Sequence, residues 1–108
     1  MWAEVSMDVA EFLVNLGRWE EVQKEYENIF KTMPDYFYAH FRYALLLEKQ
    51  GRIDESLSHY LEVLKNENKV EEEVLDSAVR GIENLIHKYD LELDEKIEEF
   101  IKKYQEIY

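Results

Sequence analysis

The chain has 108 residues, of which 46 % are apolar, and this share predicts one folded domain rather than a disordered segment. It has no cysteine, which excludes disulfide bridges, thiolate zinc sites and cysteine nucleophiles. The formal net charge of −12 predicts repulsion from nucleic-acid phosphates and from anionic membranes, so we expect a basic or apolar partner. No apolar run approaches the ~20 residues that span a bilayer, and no signal-peptide pattern opens the chain, which predicts a cytoplasmic protein.

Apolar residues recur at helical steps of three and four along the chain, and no stretch keeps the strict alternation of a strand. The sequence therefore predicts an all-α fold. The first and third helices should end at Gly17 and Gly51 and the second before Pro34, while Asp35 should cap the third. The predicted helices are 2–16, 18–32, 36–50, 69–89 and 94–108, with a fourth in chain order that begins at residue 54 and frays out in the polar run 66–68.

The first two helix pairs repeat each other at a spacing of 34 residues, so that Gly17 recurs as Gly51 and Tyr26 as Tyr60. The other matched pairs are Ala10 and Ala44, Leu13 and Leu47, and Glu21 and Glu55. A fixed period of this length is typical of arrays in which one helical hairpin stacks on the next, because a single hairpin cannot bury its apolar face alone.

These residues resemble the tetratricopeptide repeat. Its signature positions are held in the first unit by Val9, Ala10, Leu13, Gly17, Val22, Tyr26, Ile29 and Pro34, and in the second by Tyr43, Ala44, Leu47, Gly51, Ser56, Tyr60 and Val63. The signature Trp is replaced by Ser6 and His40, and Leu85 stands where a third unit would have its turn glycine. The resemblance implies a right-handed α-solenoid of antiparallel helix pairs. Its single domain, 1–108, would contain repeat 1 (3–36), repeat 2 (37–70) and a degenerate repeat or capping hairpin (71–108).

The resemblance also implies a binding surface, because the first helix of each pair lines the concave face in such arrays. Carried over to this sequence, the partner-binding positions are Met7, Glu11, Tyr38, Phe41, Leu45, Glu48, Leu75 and Val79. An apolar strip with an acidic rim would suit an amphipathic or basic segment. The alternative is that the sixth helix folds back over the fifth and fills part of this groove.

No residue pattern indicates catalysis, a cofactor or a metal. His40, His59 and His87 lie on different predicted helices, and nothing in the sequence makes them converge on an ion. There is no glycine-rich phosphate loop, and the acidic runs are expected to be solvated helix faces.

The sequence thus predicts a non-enzymatic module, a scaffold or adaptor, that binds a protein or peptide and neither nucleic acid nor membrane. Two alternatives stay open. One is a structural homodimer that pairs apolar surfaces of two copies, and the other is an accessory region of a larger, enzymatic protein.

Overall fold

The computed structural model describes residues 2–91 together with residues 95, 98, 99, 101 and 102. All regular structure within these residues is helical, so the predicted all-α class is confirmed. Residues 2–91 contain five α-helices, and a 3₁₀ turn, Glu67–Lys69, separates the fourth from the fifth. The helices are α1 (Trp2–Asn15), α2 (Trp19–Thr32), α3 (Phe37–Lys49), α4 (Ile53–Lys65) and α5 (Glu72–Tyr89).

Glycine ends α1 and α3 as predicted, and it does so with the same geometry in both. Gly17 has a φ of +74°, a left-handed conformation that costs a residue without Cβ little. The backbone N–H of Arg18 then donates to the carbonyl oxygen of Leu13 at 3.0 Å, which satisfies one of the carbonyls left free at the helix end. Gly51, with φ of +76°, repeats this turn between α3 and α4.

The starts of α3 and α5 differ from the prediction. Tyr36, and not Asp35, holds the N-cap position of α3, and no side chain caps the helix. Instead, the backbone carbonyl oxygen of Asp35 accepts a hydrogen bond from the backbone N–H of Phe37 at 3.1 Å. The 3₁₀ turn Glu67–Lys69 takes up the residues where α5 was expected to begin, so α5 begins at Glu72.

Two apolar clusters form the core. The first joins α1, α2 and α3 around Tyr26, whose ring stacks on that of Tyr43 with 4.6 Å between centroids. The second joins α3, α4 and α5 around Tyr60. At the crossing of α3 and α4 the buried Ser56 hydroxyl donates to the backbone carbonyl of Ala44 at 2.7 Å, a bond that a small residue at this position permits.

Part of the segment after α5 folds back onto the second cluster. The described residues between 95 and 102 are helical, and Ile101 is buried in the same cluster as Val79 of α5. The rest of the predicted apolar stripe of a sixth helix, Ile97, Phe100, Tyr104 and Ile107, lies outside the described residues.

Candidate protein-binding surface

Three of the predicted partner-binding residues share one face of α3. Tyr38, Phe41 and Leu45 follow one another at steps of three and four residues, and we call them the α3 face. Tyr38 and Leu45 are exposed, while Phe41 is half-buried, its ring centroid 6.2 Å from those of Tyr38 and the core residue Tyr60. The α3 face therefore offers an aromatic and an aliphatic side chain to a partner, with Phe41 anchored in the core between them.

Met7 and Val79 are buried, which corrects the expectation that they line an open apolar strip. Met7 packs in the first cluster with residues of α2 and α3, and Val79 packs in the second with residues of α4 and Ile101. Leu75 is half-buried against the second cluster. The accessible part of the predicted apolar strip is consequently shorter than expected and is centred on α3.

The acidic rim is tied to α3 by one arginine. The guanidinium of Arg42 donates to the carboxylate of Glu11 at 2.6 Å and to that of Asp8 at 3.4 Å. The same guanidinium carbon lies 5.8 Å from the centroid of the Tyr38 ring. Arg42 therefore holds α1 beside α3 and partly neutralises the carboxylates at the edge of the α3 face.

Glu48, at the other end of this face, is held by the core. The buried hydroxyl of Tyr60 donates to its carboxylate at 3.3 Å. Burial, helped by the negative charge of Glu48, raises the pKa of Tyr60 well above its ordinary value, so the phenol stays protonated as a donor. Glu48 is half-buried, and its carboxylate is oriented by this bond before any partner arrives.

A cleft of about 460 Å³ opens beside Tyr38, at the N-terminal end of α3. Four carboxylates and one ammonium group face it, together with two tyrosine rings. Burial and the negative charge of Glu4 raise the pKa of Tyr36, one of these tyrosines. The lining residues are Glu4, Asp35, Tyr36, Phe37, Tyr38, Lys69, Val70, Glu71, Glu73 and Val74.

Sequence reasoning missed this cleft because its walls come from three distant segments. Residue 4 belongs to α1, residues 35–38 to the start of α3, and residues 69–74 to the connection into α5. The only signal was the acidic run at residues 71–73, which alone is typical of a solvated first turn. With aromatic rings and an excess of carboxylates, the cleft can accept the cationic end and the alkyl stem of a lysine or arginine side chain.

His40 and His59 lie on different helices, as predicted, but they are in contact, which the sequence analysis did not predict. Their Nδ1 atoms are 2.9 Å apart, between α3 and α4. The ring of Phe30 stacks on both, with centroids 4.2 Å from His40 and 5.4 Å from His59. The two positions are 19 residues apart and meet only through the register of the helical hairpin, so no local spacing rule could reveal them.

The histidine pair is neutral at pH 7. Burial lowers the pKa of both rings, and the positive charge that His40 would carry helps to lower that of His59 to about 4. The carboxylate of Glu62 counteracts this effect at His40. In a neutral pair, the Nδ1–H of one ring donates to the bare Nδ1 of the other. Residues 2–91 and the five described after them contain no group of three or more His, Cys, Asp or Glu residues placed to hold a metal ion.

No helix within the described residues is long and apolar enough to cross a bilayer. Comparison of the chain with protein-family models, with curated proteins and with solved structures gave no match.

Proposed function

We propose that the chain is a non-enzymatic protein-interaction module, built as a tetratricopeptide-like, right-handed solenoid of helix pairs. The pairing of α1 with α2 and of α3 with α4 supports this arrangement, as do the matched turns at Gly17 and Gly51. The module binds a peptide or helix of a partner protein, and the partner segment carries basic and apolar side chains.

The observation that carries the proposal is the continuity of the α3 face with the acidic cleft. Tyr38 belongs to both, so one partner segment can reach both surfaces at once. A lysine or arginine of the partner would enter the cleft, where the carboxylates of Glu4 and Glu71 attract it. A neighbouring apolar side chain would cover Leu45, whose exposure to water in the free module is unfavourable.

Affinity selection from a displayed library of random peptides tests this function without a known partner. We expect the selected peptides to combine Lys or Arg with large apolar residues. Replacing Leu45 with serine should weaken their binding by about tenfold, which corresponds to the loss of one well-placed apolar contact. Tyr89→Ser is the control, because Tyr89 is exposed to the same extent as Leu45 but lies at the end of α5, outside the α3 face and the cleft.

Two outcomes would contradict the proposal. The first is a selected set with no basic or apolar preference, and the second is equal binding by wild type and Leu45→Ser. Light scattering on the same proteins tests the alternative, since a wild-type dimer that Leu45→Ser dissociates would make the α3 face a self-association surface.

A further inference from the structure

One side of α1, together with Leu16 in the turn that follows it, carries a continuous row of exposed large apolar residues. Each of the five has between 42 and 63 % of its surface exposed. They follow one another at steps of three, four, three and four residues, the spacing of the seam that one helix presents to another in a coiled coil. We call this row the α1 stripe, and its residues are Trp2, Val5, Val9, Phe12 and Leu16.

The α1 stripe is separate from the α3 face. Since an α-helix turns by about 100° per residue, Val9 lies about 200° around α1 from Met7, which is buried against α3. Asp8 and Glu11, which Arg42 of α3 holds, lie between these two sides on the remaining arc of α1. The stripe therefore points away from α3, and none of its residues belongs to either core cluster.

The charged residues that α1 itself places beside the stripe are all negative. The sequence of α1 holds three carboxylates, Glu4, Asp8 and Glu11, and no lysine or arginine. The first turn of α2, which packs against α1, adds Glu20 and Glu21. Of these five carboxylates, Asp8, Glu11 and Glu21 are paired with arginines of the chain, and the net charge of the whole chain is −12. A helix that covers the stripe meets Glu4, Asp8 and Glu11 of α1 along one of its sides.

We propose that the α1 stripe is a docking surface for an amphipathic helix of a partner protein whose apolar seam is bordered by lysine and arginine. The seam spacing sets the helical form of the partner, because only a helix matches steps of three and four over four turns. The carboxylates beside the stripe set the sign of the partner's charge, which has to be positive. A second copy of this chain lacks that complementarity, since pairing two stripes would bring two acidic α1 helices and two charges of −12 together. This docking surface is independent of the α3 face.

Three synthetic helical peptides test the proposal. The first has leucines at steps of three and four with lysines on both borders. The second keeps the leucines but has glutamates in place of the lysines, and the third has the composition of the first with its leucines scattered around the helix. Trp2 reports binding directly, because its emission shifts to shorter wavelength when a partner covers it. The chain has two tryptophans, so in a Trp19→Phe background Trp2 is the one that remains.

We expect the lysine-bordered peptide to bind and to shift the emission of Trp2, while the other two bind at least tenfold more weakly. In Val5→Ser/Phe12→Ser the binding should also fall by at least tenfold. In Tyr38→Ser/Leu45→Ser, the matched variant of the α3 face, the shift of the Trp2 emission should be as in wild type, because this readout reports only binding at the stripe. Because Val5 and Phe12 are largely exposed, their replacement should leave the helical circular dichroism and the urea midpoint unchanged.

Several results would overturn the proposal. Equal binding of the scattered peptide would mean that charge alone attracts it, and equal binding of the glutamate-bordered peptide would remove the role of charge. Loss of binding in the α3-face variant with retention in the stripe variant would move the site to α3 and would leave the proposed function standing. A wild-type dimer in light scattering that Val5→Ser/Phe12→Ser dissociates would make a second copy the occupant. If the stripe variant unfolds, an unchanged Trp2 spectrum with the first peptide still decides against the proposal.

Discussion

Lowering the pH from 7 to 5 should destabilise the fold through His59, and the structure gives both the sign and the size of the effect. The pKa of His59 is about 4 in the fold, against an ordinary value of 6.5. The unfolded chain therefore binds a proton at a pH where the folded chain does not. The contribution of neutral His59 to stability is fully present above pH 6.5 and is lost as the pH falls toward 4.

The magnitude follows from the two pKa values. A shift from 6.5 to about 4 corresponds to about 3 kcal/mol when both states are fully protonated. At pH 5 the unfolded state has taken up its proton and the folded state has not, so the loss relative to pH 7 is about 2 kcal/mol. The cause is burial beside His40 and against Phe30, where a charged imidazole loses its hydration.

Urea unfolding at pH 7 and pH 5 measures this loss, provided that the carboxylates are accounted for. The 25 acidic residues also begin to titrate, and relief of their mutual repulsion acts in the opposite direction. We therefore compare wild type with His59→Gln, which keeps a polar side chain beside His40 but does not titrate. Between pH 7 and 5 the variant should lose about 2 kcal/mol less than wild type.

His87→Gln is the matched control, because His87 is an exposed histidine on α5. It should lose as much stability as wild type. If His59→Gln also loses as much as wild type, His59 is not buried as a neutral ring and the described contact with His40 does not govern its titration. A nuclear magnetic resonance titration of the His59 ring, with an expected midpoint of about 4, checks the same conclusion independently.

Three further predictions concern the core. Gly81→Ala should destabilise the fold by about 1–3 kcal/mol in urea unfolding although alanine favours helix, because the added Cβ would lie 2.5 Å from Cζ of the buried Tyr60 ring. In a Tyr60→Leu background the same substitution should cost less, and a raised urea midpoint for Gly81→Ala alone would contradict the packing. Tyr26→Phe should be neutral or slightly stabilising, because the buried Tyr26 hydroxyl has no hydrogen-bond partner among the described residues. Tyr60→Phe should cost about 1 kcal/mol by removing the bond to Glu48, and the opposite order of these two melting temperatures would refute the assignment.

Local signals in the sequence were sufficient to predict the five helices α1 to α5, apart from the starts of α3 and α5, and the turns between paired helices. The positive φ of Gly17 and Gly51 requires a residue without Cβ, so a glycine after an apolar helical stripe marks the turn. The burial of Ala10 and Ala44 follows from the repeat spacing for a similar reason, since small residues belong where helices cross closely. These features depend on a few neighbouring residues.

The candidate surfaces depend on which elements meet, and here the sequence was less informative. The acidic cleft joins Glu4 to residues 35–38 and 69–74, and the histidine pair joins α3 to α4. Neither juxtaposition leaves a mark at any fixed spacing. A histidine at the position where the resemblance places a tryptophan was the nearest signal for His40, and it indicated burial but not a partner.

The outward assignment of Met7 was wrong because α1 has apolar residues on more than one side. Ala3, Met7 and Ala10 form one apolar side and the α1 stripe forms another, so periodicity predicts the helix without showing which side the fold buries. The position of α3, fixed in part by Arg42, decides the matter by burying Met7. What remains is a row of five large apolar residues that the fold does not use, kept at helical spacing and exposed to water. Exposed apolar surface of that extent favours association, and this is why the side of α1 that the core leaves free supports a partner of its own.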